Sequence, residues 1–184
     1  QTPESFADNI RKVISLKPDR IVTFSYAHVP WVNELQKNLE KVGLPSVSTK
    51  SEIYETAKKL LIDAEYKTIG LDHFVLANDE LYEALQTKSL HRNFQGYCTR
   101  RTTGQVYAFG NTGISQLSTA YSQNAKDLNT YISSVNEGKY PITKGYILNK
   151  EEQITREVIA SLMCNYTVSW SDIATRMNMS DRKS

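Results

Sequence analysis

Cysteine and histidine are scarce in this chain of 184 residues. It contains two cysteines and three histidines, all well separated along the sequence. Because Cys98 and Cys164 have no CxxC partner, the sequence contains no pattern for a disulfide framework, a zinc knuckle or an iron–sulfur site of its own. Reducing conditions fit this cysteine usage best, so the expected location is the cytoplasm. No metal site is expected within the chain; a site built from His28, His73 and His91 is the alternative, and it depends on a fold that brings them together.

Long apolar runs and a large net charge are also missing. No run approaches the roughly 20 apolar residues of a membrane span, and no signal peptide pattern is present, so no membrane association is expected. The 22 basic and 20 acidic residues leave a formal net charge of only +2. Basic residues are spread along the chain, which argues against a dedicated nucleic-acid binder. The remaining composition, 40% hydrophobic and 23% charged, is that of a globular protein.

The first half of the sequence predicts an α/β fold. Strands are indicated at 20–26 and 67–74 by β-branched and aromatic residues. Between them lie a helical pattern at 32–42 and a second helix with apolar residues from Ile53 to Ala64, for which Thr49-x-x-Glu52 supplies a capping box. Strands separated by long helices cannot form a tight hairpin, so the sequence predicts a crossover that joins parallel neighbours.

Polar residues follow each of these predicted strands. His28 lies shortly after the first, and Asp72 and His73 close the second. Parallel α/β folds, barrels included, place ligand sites at the carboxyl ends of their strands. These three side chains are therefore candidate site residues. The alternative is a capped strand end whose polar groups are satisfied locally.

Beyond residue 77 the patterns are mostly helical. A short helix is predicted at 81–87, a strand at 105–109, a glycine turn at 110–113, and a helix at 124–137. Asn149-x-x-Glu152 is a cap for a following helix, and a last helix begins near Trp170.

The stretch LHRNFQGYCTRRTTGQVYAFG, residues 90–110, has almost no hydrophobic periodicity. Two interpretations fit its residues: a clamp for carboxylates or phosphates, or a solvated loop. Arginine beside aromatic residues also suits single-stranded RNA, although no complete RNA-recognition motif is present. Cys98 has no cysteine-protease signature around it and is assigned no catalytic role. The residues behind the clamp interpretation are Arg92, Asn93, Gln95, Tyr97, Arg100 and Arg101.

Four segments resemble one enzyme family in sequence, order and spacing. They are FSYAHVP at 24–30, IGLDHF at 69–74, NDELYEA at 78–84 and LHRNFQGY at 90–97. The family is that of the oxygen-independent coproporphyrinogen III oxidases, which are radical S-adenosylmethionine enzymes. The resemblance runs from QTPESF to about Tyr166, and LHRNFQGY is its most specific part.

This resemblance implies an α/β chain that supplies the later part of an incomplete (β/α) radical-SAM barrel, followed by the start of a mainly helical C-terminal domain. The implied bounds are 1–77 for the barrel part, 78–148 for flanking and connecting segments, and 149–184 for the start of the helical domain. The CxxxCxxC motif that holds a 4Fe-4S cluster in this family is absent. The chain is therefore expected to be a fragment, inactive alone, whose cluster ligands lie outside it.

For the complete enzyme the resemblance implies oxidative decarboxylation of two propionates of coproporphyrinogen III to vinyl groups, which gives protoporphyrinogen IX in haem biosynthesis. The implied cofactors are the 4Fe-4S cluster and S-adenosylmethionine, whose reductive cleavage yields the radical that removes a propionate hydrogen. The electron donor and acceptor are unknown. A monomeric parent is expected, whereas exposed barrel edges favour self-association of a fragment.

Site residues follow from the resemblance position by position. Ala27 matches a contact to a second S-adenosylmethionine and Ile114 a contact to the first, so backbone hydrogen bonding and shape are the expected contributions of both. Between Tyr97 and Ile114 the chain has one residue more than the family pattern, which affects the alignment at Ile114. Substrate candidates are Asp72, His73, Arg92, Asn93 and Gln95, with Arg92 preferred over Arg100 and Arg101.

Two other functions fit the residues less well. A haem chaperone of the same superfamily would show a pattern of the type His-Asn-x-x-Tyr-Trp where this chain has HRNFQGY, residues 91–97. An RNA-binding α/β module would rely on Arg100, Arg101 and neighbouring aromatic residues. A near-neutral charge disfavours the second alternative.

Overall fold

The computed structural model describes residues 1–94, 96–99 and 105–177. These form two compact units, an N-terminal unit over Gln1–Tyr82 and a C-terminal unit over Glu83–Ser184. The fold is a mixture of helices and short strands, as the predicted α/β class requires. The implied domain bounds at residues 77 and 148 stay a prediction.

The N-terminal unit contains helices capped by short polar side chains. Thr2 caps the first helix in a reciprocal capping box with Ser5, and Pro3 stands at the first helical position. Ser46 caps the third helix by accepting a hydrogen bond from the backbone N–H of Thr49. The predicted cap at Thr49 is therefore wrong: the helix begins earlier because Ser46 already satisfies its first-turn N–H groups. The elements are α1 (Pro3–Leu16), β1 (Arg20–Val22), a 3₁₀ helix (Glu34–Gln36), α2 (Lys37–Val42), α3 (Val47–Asp63), β2 (Lys67–Ile69), β3 (His73–Val75) and α4 (Glu80–Gln86).

The sheet of this unit has the order β1-β3-β2 with antiparallel pairs throughout. The segment predicted as one strand at 67–74 is a hairpin whose turn lies between Ile69 and His73. The returning strand β3 inserts between β1 and β2. The predicted pairing of two parallel neighbours is therefore wrong, although β1 and β2 still run in the same direction because each is antiparallel to β3.

One hydrophobic core holds the helices α1 and α3 against this sheet. Phe74 on the central strand is fully buried, as are Ala57 and Leu61 on α3, and Ile10 of α1 packs with them. Burial of this kind contributes roughly 1.5–3 kcal/mol for each large apolar side chain. Tyr66 joins the core and donates its hydroxyl to the carbonyl of Pro18 at 2.7 Å; burial raises the pKa of that phenol.

Asp79 links the start of β1 to the start of α4. Its Oδ2 accepts from Nε of Arg20 at 2.6 Å and its Oδ1 accepts from the backbone N–H of Leu81 at 2.7 Å. The hydrogen bond to Asp79 is the main reason that the pKa of Arg20 is raised. The carboxylate is largely buried, with 7% of its side chain exposed. Asp79 thus acts both as a helix cap and as a largely buried ion-pair partner of Arg20.

We expect Asp79→Ala to lower the free energy of unfolding by about 1–2 kcal/mol, because it removes a helix cap and a charged hydrogen bond. The contribution of the ion pair is discounted since 41% of the Arg20 side chain is exposed. Urea unfolding checks the value. Asp8→Ala is the control: it breaks the exposed pair with Arg11 and should cost at most about 0.5 kcal/mol. Equal losses in the two variants would contradict the assignment.

Beyond α4, the described residues of the C-terminal unit form a two-stranded hairpin, a three-stranded antiparallel sheet and three helices. The sheet was not expected, since the sequence beyond residue 113 predicts helices only, and the strand expected at 105–109 is reduced to a single bridge at Val106. The cap at Asn149 with Glu152 is confirmed as a full capping box. The elements are β4 (Leu90–Asn93), β5 (Gly96–Thr99), β6 (Ile114–Gln116), β7 (Ala120–Asn124), α5 (Leu128–Asn136), β8 (Ile142–Ile147), α6 (Lys150–Asn165) and α7 (Trp170–Arg176).

The predicted glycine turn after the bridge at Val106 is present. Gly110 has φ +90°, a backbone conformation that favours glycine. Its carbonyl accepts a hydrogen bond from Asn124 Nδ2 at 2.9 Å, and its N–H donates to the hydroxyl of Tyr131 at 2.9 Å. The turn is therefore held between the sheet and α5. Within the described part of the chain, no helix has both the length and the apolar character needed to cross a membrane.

Candidate functional site

The polar candidates of the N-terminal unit lie at one end of its sheet. Asp72 is in the turn between β2 and β3, and His73 begins β3 opposite both Val22 and Ile69. His73 therefore starts a strand and does not close one as predicted. The end of the sheet is nevertheless the expected one, because the carboxyl ends of β1 and β2 meet the beginning of the antiparallel β3.

Hydrogen bonds pair these side chains locally. Nδ1 of His73 lies 2.7 Å from Oδ1 of Asp72, and Nε2 of His28 lies 2.8 Å from Oε1 of Glu40. The Asp72 backbone carbonyl also accepts from the N–H of Thr23 at 2.8 Å. The structure thus shows an Asp72–His73 pair, in which both residues were predicted candidates. It also shows a His28–Glu40 pair, in which Glu40 was not predicted.

Ala27 lies on the exposed segment that follows β1. Gln36 contacts the backbone here twice: Nε2 donates to the carbonyl of Ala27 at 3.5 Å and Oε1 accepts from the N–H of Val29 at 2.6 Å. A side-chain amide therefore fixes the path of the backbone from Ala27 to Val29. The contact of Ala27 to S-adenosylmethionine stays a prediction.

In the C-terminal unit, the stretch predicted as a clamp or loop begins with a β-hairpin. β4 pairs with β5 so that Arg92 lies opposite Tyr97 and Asn93 opposite Gly96. The Arg92 guanidinium carbon is 5.8 Å from the centre of the Tyr97 ring, close enough for a cation–π contact. Tyr97 in turn donates its hydroxyl to the carbonyl of Met163 on α6 at 3.1 Å. The hairpin is thus attached to α6.

Gln95, Arg100 and Arg101 lie outside the described residues, so the structure does not locate these three candidates. Asn93 is half-buried, and its Nδ2 donates to Sγ of Cys98 at 3.4 Å. A paired hairpin replaces the predicted loop because the polar side chains of β4 do not prevent its backbone from pairing with β5.

A groove of about 500 Å³ lies beside this hairpin. Its polar lining includes Arg92 and Asn93 of β4, Gln116 of β6, and side chains of α6 that include Arg156 and two glutamates; its apolar lining comes from aromatic rings and from apolar residues of α6. The complete lining is Arg92, Asn93, Phe94, Gln116, Tyr121, Glu151, Glu152, Thr155, Arg156, Ile159, Ala160 and Met163.

Arg156 fixes one wall of the groove. Its Nη1 and Nη2 donate to the carbonyls of Leu117 at 3.1 Å and Ser118 at 2.5 Å, in the turn between β6 and β7. Its guanidinium carbon lies 5.8 Å from the centre of the Tyr121 ring, and that ring meets Phe94 edge to face at 5.4 Å. These contacts therefore connect α6, the three-stranded sheet and the tip of the β4–β5 hairpin.

Ile114 is partly buried in β6, the edge strand of the three-stranded sheet. Gln116 exchanges both backbone hydrogen bonds with Val106, at 2.8 and 2.9 Å. Because backbone groups alternate between the two sides of a strand, Ile114 also directs its N–H and C=O to that edge and away from β7. The predicted contact of Ile114 to S-adenosylmethionine stays a prediction.

Glu152 lies in the first turn of α6, at the end of the groove away from the attachment of the β4–β5 hairpin to Met163. It accepts hydrogen bonds from the hydroxyl of Tyr146 and, at 2.8 Å, from the backbone N–H of Asn149. The hydrogen bond from Tyr146, followed by that from Asn149, lowers the pKa of the Glu152 carboxyl, and the same contact raises the pKa of Tyr146. Both carboxylate oxygens are thus already engaged by local donors.

We expect Tyr146→Phe to raise the pKa of Glu152 toward its ordinary value. A carboxyl whose pKa is lowered in the folded state stabilises the protein above its unfolded pKa, and this contribution is lost as pH falls through the folded pKa. In the variant the remaining contribution is therefore lost at a higher pH. NMR titration of the Glu152 carboxyl carbon measures the shift. Tyr140→Phe, at an 88% exposed tyrosine, should leave the titration unchanged; an unchanged titration in Tyr146→Phe would contradict the assignment.

Metal ligands are not assembled in this part of the chain. Among the residues that the structure describes, no group of three or more His, Cys, Asp and Glu side chains could hold a metal ion. Cys98 is half-buried, Cys164 is buried, and neither is in a disulfide. The three-histidine alternative is therefore not supported, and the chain does not contain the three thiolates that a 4Fe-4S cluster takes in a CxxxCxxC motif.

Sequence reasoning selected Arg92 and Asn93 but missed most of the groove. Arg156, Gln116 and Tyr121 come from segments whose patterns predicted only helices and loops. Arg156 belongs to the polar positions of an amphipathic helix, which usually face solvent. Only the tertiary fold shows that it contacts the β6–β7 turn. Its position inside KGYILNKEEQITREVI, a segment that resembles the oxidases, was the one available signal.

The fold and groove place the chain in the class of α/β proteins that resemble part of a radical SAM enzyme. The solved structure of the coproporphyrinogen III oxidase HemN from Escherichia coli, described as a radical SAM enzyme, superimposes with a TM-score of 0.86 at 37% sequence identity. The match covers 97% of this chain and 41% of that one. No family model matches the chain.

Curated relatives give the particular resemblance. The oxygen-independent coproporphyrinogen III oxidase of Helicobacter pylori strain J99 is 40% identical over 179 residues, and that of Escherichia coli K12 is 37% identical over 179 residues. Each match covers 97% of this chain and 39% of the relative. The resemblance predicted from LHRNFQGY and the other segments is confirmed: the chain is homologous to one part of the oxygen-independent coproporphyrinogen III oxidases.

Proposed function

We propose that the chain is a part of an oxygen-independent coproporphyrinogen III oxidase, which converts two propionates of coproporphyrinogen III to vinyl groups. Each conversion of R–CH₂–CH₂–COO⁻ to R–CH=CH₂ releases carbon dioxide, one proton and two electrons. The observation that supports this proposal is identity of 36–40% with oxidases of this name over almost the whole chain, 97% in most cases. A cytoplasmic location and a monomeric parent stay predictions.

Within this function the chain would help to hold S-adenosylmethionine through its backbone. Ala27 is proposed to contact a second S-adenosylmethionine molecule and Ile114 the first. The exposed main chain at Ala27 and the edge-facing main chain at Ile114 support these two contacts. S-adenosylmethionine, once bound and reduced by a cluster, supplies the radical that abstracts hydrogen. The cysteines of this chain do not fit that cluster, so its ligands are proposed to lie in another segment of the enzyme.

The chain's own polar residues are proposed to bind and orient substrate. A tetracarboxylate needs several hydrogen-bond donors, and guanidinium groups bind carboxylates through paired N–H···O bonds. Arg92 and Asn93 stand at the groove, and Asp72 and His73 stand at the end of the N-terminal sheet; these four, with Gln95, are the substrate candidates. A histidine held by a carboxylate, as His73 is by Asp72, keeps a fixed orientation and can hold or transfer a proton at Nε2.

The test is an anaerobic assay of the full-length protein that contains this sequence, with its cluster reconstituted. We expect S-adenosylmethionine-dependent release of carbon dioxide and formation of protoporphyrinogen IX. The same preparation is titrated with haem. Stoichiometric haem binding without turnover would replace the oxidase proposal by the haem-chaperone alternative. Tight, steeply salt-dependent binding of single-stranded RNA by the chain would instead favour the RNA-binding alternative.

A further inference from the structure

The groove of the C-terminal unit separates its charged groups along its length. Tyr97 bonds to Met163 near the end of α6, and Arg92 lies opposite Tyr97 in the hairpin. Glu151 and Glu152 lie in the first turn of the same helix. At 1.5 Å per residue, the twelve residues from Glu151 to Met163 span about 18 Å. The groove therefore has a cationic end at Arg92 and an acidic end far from it.

Arg92 is the groove cation that remains available to a ligand. Within the described residues it makes no ion pair, whereas both terminal nitrogens of Arg156 already donate to carbonyls. The guanidinium carbon of Arg92 lies 5.8 Å from the centre of the Tyr97 ring, and a guanidinium presents a planar fork of N–H donors that matches a carboxylate. The Asn93 side chain is beside it in the lining. This arrangement suits a carboxylate.

Between the two ends the groove has apolar walls beside its polar groups. Ile159, Ala160 and Met163 line it from α6, and Phe94 and Tyr121 line it with aromatic rings. The rings are fixed by their mutual contact and by Arg156. Preformed apolar walls with a few polar groups at one end are typical of sites for amphipathic small molecules. An inorganic anion would leave these walls unused.

We propose that this groove binds one edge of an anionic tetrapyrrole: a pyrrole ring lies between the α6 face and the aromatic rings, and its propionate carboxylate pairs with Arg92. The inference rests on the proposed function, which supplies the ligand class. It adds a location on this chain, an apolar wall on α6, and Arg156 as a positioning residue that contacts the wall and not the ligand.

The experiment titrates the 184-residue chain with coproporphyrin III, the stable, fluorescent oxidised form of the substrate of its relatives. Three variants are compared with the unchanged chain. Arg92→Ala removes the carboxylate partner, and Ala160→Leu fills the groove while it keeps a good helix former in α6. Arg11→Ala is the matched control, because it removes an arginine that is 61% exposed on α1 of the N-terminal unit. Circular dichroism checks that each variant is folded.

We expect Arg92→Ala and Ala160→Leu each to weaken binding by about tenfold to a hundredfold, the range of one charged hydrogen bond or a blocked pocket. Arg11→Ala should leave the dissociation constant within about twofold. Arg92→Lys should restore part of the loss, since it keeps the charge but not the paired donors. Absence of binding by the unchanged chain, or equal binding by all variants, would overturn the proposal.

A second readout separates this proposal from the proposed function. In the full-length protein, Ala160→Leu should raise KM for coproporphyrinogen III more than it lowers kcat. If the full-length protein converts coproporphyrinogen III and Ala160→Leu lowers only the stability of the protein, another segment of the protein fills the groove. The proposal is then wrong, and the oxidase function stands. If the chain binds coproporphyrin III in the groove but the full-length protein has no turnover, the proposed function fails and the site stands.

Discussion

Phe74→Ala should lower the free energy of unfolding by about 3–5 kcal/mol, the largest effect expected of a single substitution in this chain. Phe74 is fully buried at the centre of the three-stranded sheet, where it pairs with Ile21 on one side and Thr68 on the other. Its ring contacts the core formed with α1 and α3. Removal of the ring leaves a cavity that short, paired strands cannot close.

Urea unfolding of the chain, followed by circular dichroism, measures this effect. Phe24→Ala is the matched control, since Phe24 is 81% exposed in the same unit and should change the unfolding free energy by less than about 0.5 kcal/mol. Because the chain consists of two compact units, a hydrogen-exchange measurement on α3 assigns the loss to the N-terminal unit. A loss below about 1 kcal/mol in Phe74→Ala would show that the core is not packed as described.

Arg92→Ala in the full-length protein should lower kcat/KM for coproporphyrinogen III by about tenfold to a hundredfold, equivalent to one charged hydrogen bond of roughly 1.5–3 kcal/mol. The substitution removes the groove guanidinium whose N–H groups are not already donated to backbone carbonyls, as those of Arg156 are, within the described residues. It also removes the cation–π contact with Tyr97, which at an exposed site is worth about 0.5–1 kcal/mol.

The anaerobic assay that tests the function also measures this effect, with Arg92→Lys alongside. Lysine retains the charge but cannot form paired hydrogen bonds, so it should recover only part of the activity. A loss through altered folding would be seen as a lower unfolding midpoint in both variants. Unchanged turnover and KM in Arg92→Ala would exclude Arg92 from substrate recognition. The residue that binds the substrate carboxylate would then have to be sought among the neighbours of Asp72 and His73 at the N-terminal sheet.

Local sequence signals located most helices of this protein well. α6 begins where Asn149 and Glu152 predict it, because a capping box depends on residues only three positions apart. α7 likewise begins at the expected residue, Trp170. Where a second local cap competes, as Ser46 does with Thr49, the sequence pattern alone misplaced the start of the helix by a turn.

Strands were located much less well. β2 and β3 were predicted as one strand because each has three residues, too few for a periodic pattern to show the turn between them. β6, β7 and β8 were missed altogether. Every residue of β8 is exposed, so the strand shows no alternation of buried and exposed positions. Its pairing with β7 depends on backbone hydrogen bonds, which no side-chain pattern predicts.

The sequence by itself determined the family resemblance and the capping box of α6, because each depends on residues close together in the chain. It also selected Arg92 and Asn93 as substrate candidates, and their role stays a prediction. The tertiary structure decided the rest. It inserted β3 between β1 and β2, paired His28 with Glu40, and brought Arg156 and Tyr121 to the hairpin that contains Arg92. The β1–β3 pairs, the His28–Glu40 pair and the Arg156–Tyr121 contact join residues that are 12 to 55 positions apart. Such partners are selected by packing and backbone pairing in three dimensions, which no local pattern encodes.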